Sequence, residues 1–158
     1  MNNVLNDING NVLNPKIPRY ESRGIVVTLQ NTQNISQGVY LVKFSNSNSD
    51  NEYFKLNTST HKIEVLKDCI ALISGNCFVD GAGGDGYCWG EIFVNEYVQT
   101  SQLERIINRD YVNTPIPAKI VNLKVGNEVY MKLDYASSSD NPKIRAQADT
   151  TFLSIVKI

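Results

Sequence analysis

Residues 118–135, AKIVNLKVGNEVYMKLDY, alternate apolar and polar side chains with a period of two. Val121, Leu123 and Val125 stand against Lys119, Asn122 and Lys124, and Val129, Met131, Leu133 and Tyr135 repeat the pattern further on. A helix would scatter such a set around its circumference, whereas a strand gathers it on one face. Gly126-Asn127 separates the two runs as a compact turn, so the segment predicts an antiparallel hairpin. The feature commits this part of the chain to antiparallel sheet.

The rest of the chain shares the habit. Short β-branched or aromatic runs recur at 24–30, 39–44, 61–66, 69–79, 87–98 and 150–158, separated by Asn, Ser, Thr, Asp and Gly. The run CIALISGNCFV (69–79) is apolar on both faces at its start, as expected of a strand within a packed layer. One stretch, SQLERIIN (101–108), has capping-box spacing between Ser101 and Glu104, but the same letters fit a strand. At 158 residues the chain is long enough for one core. The expectation is an all-β jelly-roll sandwich of about eight to ten strands over 22–158, with 1–21 as an N-terminal joining segment.

Charge and composition exclude several classes. The formal net charge is −1, and Lys and Arg are dispersed, so no basic stripe is available for nucleic acid. No apolar run reaches the length that crosses a bilayer, so no membrane insertion is expected. The first twenty residues lack the charged and apolar regions of a signal peptide, which points to a chain made in a cytoplasm. Cys69, Cys77 and Cys88 form an odd set without a CxxC, and are read as reduced packing residues.

The last nine residues carry Phe152, Leu153, Ile155, Val156 and Ile158, far more apolar than a fraying terminus. A strand with two apolar faces needs two covers, the opposite sheet and something else. A second subunit is the expected second cover, which nominates Phe152, Leu153, Ile155 and Val156 as interface residues of an oligomer.

Chemistry-bearing residues are sparse. His61 is the only histidine, read as a solvated strand-edge residue, and no Gly-x-Ser-x-Gly elbow or Cys–His signature is present. An enzyme is therefore not expected. The stretch DGAGGDGYCWG has no Walker lysine and runs into a strand-like segment, which excludes a phosphate loop. Asp80 and Asp85 flank its glycines and are weak candidates for a calcium ion; no other cofactor or metal is expected. Binding is the better reading. Tyr87 and Trp89, with Asp85, Asn95 and Tyr97 nearby, offer the aromatic faces and hydrogen-bonding groups that recognise a glycan or a protein surface. For Trp89 a core role is the favoured reading over a ligand-binding one, and Phe93 fits the core as well.

The order of features resembles the jelly-roll superfamily of tumour necrosis factor and the complement globular heads. Leu123, Gly126, Asn127 and Val129 fall on its penultimate hairpin pattern, and Thr151, Phe152 and Ile155 on its terminal strand. Asp68-Cys69 and Ser154 depart from the glycines common there. The resemblance implies a homotrimer with the terminal strand on the threefold axis. Leu5, Asp7, Gly10, Asn11, Leu13, Pro15 and Lys16 are similar to a phrase that precedes head domains in bacteriophage tail fibres and baseplates. That similarity implies a virion protein: a receptor-binding head recognising a host-surface glycan or protein without catalysis, joined to other tail proteins by its N-terminal segment. A structural trimerisation cap of a fibre or spore filament, and a cytokine- or complement-like secreted ligand, are the alternatives.

Overall fold

The period-two segments form strands throughout. A computed structural model describes residues 23–48, 51–138, 141–146 and 150–158. The joining segment assigned to 1–21 and its fibre-like phrase lie outside the described residues. Thirteen strands follow in chain order: β1 (Gly24–Thr28), β2 (Gln33–Asn34), β3 (Gly38–Leu41), β4 (Asn46–Ser47), β5 (Phe54–Asn57), β6 (Lys62–Val65) and β7 (Cys69–Asp80). Then come β8 (Asp85–Val94), β9 (Tyr97–Ile107), β10 (Tyr111–Leu123), β11 (Glu128–Ser137), β12 (Lys143–Ile144) and β13 (Phe152–Lys157). The SQLERIIN stretch lies in β9, paired residue by residue with β8.

Two sheets face each other. In the first, β4, β1, β13, β7 and β10 lie side by side, with β12 and β2 extending the β13 edge of β7. The second runs β5, β6, β11, β8, β9, with β3 continuing the β6 edge of β11. Alternation sends Ile25, Val27, Ile73, Cys77, Val79, Leu153 and Ile155 inward from the first sheet and Ile63, Val65, Cys88, Ile92, Met131, Leu133 and Tyr135 from the second. Each is essentially fully buried, and together they form one core between the layers. This is the jelly-roll sandwich that the strand rhythm predicts.

Two expectations need correction. The 118–135 segment is not a hairpin: β10 pairs with β7, while β11 pairs with β6, β8 and β3 in the opposite sheet. The turn itself exists, with Gly126 at φ +85° and Asn127 N donating to the Lys124 carbonyl at 2.9 Å. What carries it across the sandwich is its docking on neighbouring segments. Gly126 N donates to Val65 O, Val65 N donates to Asn127 O, and Val125 N donates to Asp68 Oδ1 at 2.8 Å. Turn chemistry reverses a chain but does not choose between pairing and crossing. His61, read as a strand-edge residue, instead sits in the turn between β5 and β6 at φ +59°. That left-handed conformation is incompatible with continuing a strand.

Candidate functional site

The outward side chains of the first sheet are aliphatic where sheet surfaces are ordinarily polar. Val156, Leu72 and Ile120 are direct cross-strand partners on β13, β7 and β10, and all three are exposed. Ile120 keeps 62% of its surface and Ile70, one pair further along opposite Asn122, keeps 52%. Ile158, whose N–H donates to the Ile70 carbonyl, continues the patch past the end of β13. Ser74 and Ser154 face each other beside it, and no charged side chain occupies these central outward positions. Contiguous exposed aliphatics of this kind mark interaction surfaces.

The nominated interface residues divide accordingly. Leu153 and Ile155 are fully buried in the chain's own core, because alternation along β13 points them at the second sheet. Only Phe152 and Val156 face outward. The residues that accompany them, Ile70, Leu72 and Ile120, were signalled in the sequence by the two-faced apolar start of the 69–79 run and by Ile120 breaking the polar side of its own.

The second sheet has a different outer surface. Tyr87, Trp89 and Glu91 share the outward face of β8, and Trp89, 37% exposed, does not enter the core. It lies in a cross-strand row running Val39, Asp134, Trp89, Leu103. The Tyr87 hydroxyl reaches Asp134 Oδ2 at 3.4 Å. The Asp134 charge raises the Tyr87 pKa, and burial, aided by the same charge, raises that of Glu91. Toward the other end, Phe93 and Tyr130 stack with centroids 5.1 Å apart. Lys132 Nζ lies 4.8 Å from the Phe93 ring and Lys62 Nζ 4.8 Å from the Tyr130 ring, so lysine stems cover these aromatics.

The five nominated binding residues do not converge. Tyr87 and Trp89 are neighbours on one face, but Asp85 opens β8 while Asn95 and Tyr97 lie past its far end, roughly 30 Å away by strand rise. Asn95 is occupied in the β8–β9 turn: it adopts φ +54°, its N–H donates to Glu128 O, and its Oδ1 accepts the Glu128 N–H at 3.0 Å. Tyr97 is 75% exposed beside it.

The glycine-rich stretch is a corner locked from inside. Tyr135 donates its hydroxyl to Ala82 O at 2.6 Å, and the Ser137 hydroxyl donates to Gly83 O. Gly84 sits at φ +74°, and a Cβ on Gly86 would strike the Ala136 carbonyl of the adjacent strand. Asp80, nominated with Asp85 for a cation, accepts the Gly81 N–H and lies 3.9 Å from Arg145 Nη1. Among the described residues no group of three or more His, Cys, Asp or Glu side chains is placed to hold a metal. All three cysteines are free. Burial raises the Cys77 pKa and pushes Cys88 up to about 12, which keeps both as neutral thiols; Thr114 donates to Cys88 Sγ at 3.2 Å.

No protein-family model and no curated protein sequence matches the chain. Solved structures do. Murine APRIL at pH 5.0 superposes with a TM-score of 0.66 at 11% identity, covering 85% of this chain and 98% of that one. The Eiger TNF of S. frugiperda gives 0.58 at 11% identity, over 87% and 93%. The chain has the jelly-roll fold of the tumour necrosis factor-like ligands.

Proposed function

We propose that the chain is a non-catalytic binding head that assembles with two further copies through the outer face of its first sheet and presents its remaining surface to a partner. The observation that carries this is the uncharged aliphatic row Val156–Leu72–Ile120, with Ile70 and Ile158 beside it, exposed on a fold shared with tumour necrosis factor-like ligands. Three equivalent weak sites would then gain affinity through avidity. Because the similar solved structures are ligands, a receptor-engaging ligand of the cytokine type is better supported than a phage tail-fibre head. The fibre reading, with its virion setting and host glycan, rests on residues 5–16, outside the described residues.

Light scattering tests the assembly. A particle of three times the 17.7 kDa chain at micromolar concentration is expected, and a monomer throughout that range overturns the proposal.

A further inference from the structure

The chain's single histidine lies in a cleft that the assembly face does not use. Residues following β1 (Gln30, Asn31, Thr32), both residues of β2 (Gln33, Asn34), the segment after β3 (Lys43, Ser45) and His61 line a cleft of about 420 Å³. That volume falls within the range of about 300–1,000 Å³ usual for small-ligand sites. The wall is pre-set by backbone. Gln33 Nε2 donates to Leu41 O while its Oε1 accepts the Lys43 N–H, both at 3.0 Å. The Gln30 N–H donates to Ser45 Oγ at 3.0 Å, and His61 Nδ1 lies 2.9 Å from Phe44 O. Histidine is among the non-glycine residues enriched in the left-handed region, and here that conformation accompanies the anchoring of Nδ1, with no described partner for Nε2.

Among the described lining residues, the fixed charge has one sign. Among the described residues Lys43 is the only permanently charged one in the lining; it is exposed and has no ion-pair partner among them. Among the described residues no carboxylate lines the wall. Apart from His61, the remaining described side chains are amides and hydroxyls, which match hydroxyl groups as donors and acceptors. A bare inorganic ion would satisfy the ammonium and leave the amides idle.

From this geometry we infer that the cleft is a binding site for a small hydroxylated oxyanion, of the size and chemistry of an acidic monosaccharide, with Lys43 holding the anionic group and the Asn and Gln amides the hydroxyls. The test is a titration of the ¹⁵N-labelled full chain with sodium glucuronate, glucose 6-phosphate, glucose and inorganic sulfate. Saturable shifts confined to the amides of residues 30–34, 43, 45 and 61 are expected with one or both acidic sugars, and which of them binds identifies the oxyanion. Lys43→Gln should weaken that binding about tenfold. His61→Asn, which tolerates the left-handed turn, should weaken it less and leave the spectrum folded. The inference fails if neither acidic sugar shifts these amides, if glucose binds equally well, if only sulfate binds, or if Lys43→Gln binds as the wild type does.

Discussion

The two sheets of this sandwich are built alike on the inside and differently on the outside. The second sheet shields two of its outward aromatics: Phe93 and Tyr130 stack under the side chains of Lys132 and Lys62, and Asp134 lies in the row between Val39 and Trp89. The first sheet does nothing comparable for Leu72, Ile120 and Val156, which form an exposed row with no charge among the central outward positions. The second sheet also leaves Val39, Trp89 and Leu103 exposed, but in a row that contains the Asp134 carboxylate. Under the proposed assembly, the contrast would separate a face that meets solvent from one that meets another copy of the chain.

Substitutions can break that comparison. Leu72→Lys places a charge at the centre of the bare face and is expected to weaken association on the order of 100-fold or more, since the ammonium would be buried unpaired. Leu103→Lys, on the finished face, should leave the particle mass unchanged; sedimentation of both variants makes the comparison. A smaller effect separates folding from assembly. Tyr135→Phe removes the donor to the buried Ala82 carbonyl and should cost about 1–3 kcal/mol in denaturant titrations, without changing particle mass once folded. Lys132→Ala uncovers the Phe93–Tyr130 stack and should lower stability by about 0.5–1 kcal/mol in the same experiment.

The smallest expected effect is an acid response at the corner between β10 and β11. The Val125 N–H and the Lys124 ammonium hold the Asp68 carboxyl below its ordinary value of 3.8. A lowered carboxylate pKa contributes stability that is present above that ordinary value and is lost as pH falls through the folded value. The protection of the Val125 amide from exchange, taken relative to its intrinsic rate at each pH, should therefore fall below about pH 4, and Asp68→Asn should remove that pH dependence.

Much of this architecture was legible in the residues. Alternation named most of the long strands, and the two-faced runs at 69–79 and 150–158 became β7 and β13, neighbours in the first sheet. Alternation assigns residues to two sides of a strand without saying which side is inside, so the sequence offers Leu153 and Ile155 for an interface although they fill the core. Nor does it say which sheet a strand joins. The Gly126-Asn127 turn reads as a hairpin because the contacts that send it across the sandwich, from Asp68 and Val65, come from residues about sixty positions earlier. The binding residues were harder still. Asp85, Trp89 and Asn95 are close in sequence, but an extended strand spreads them along its length, and the cleft at His61 is assembled from three separate segments.

Relaxation of methyl and indole signals by a soluble paramagnetic agent tests the contrast between the faces most directly. In the assembled protein the methyls of Ile70, Leu72, Ile120 and Val156 should be shielded, while Val39, Leu103 and the Trp89 indole broaden. Equal broadening on both faces at concentrations where the chain is folded would contradict the account, because the aliphatic row would then stand open to solvent with nothing covering it.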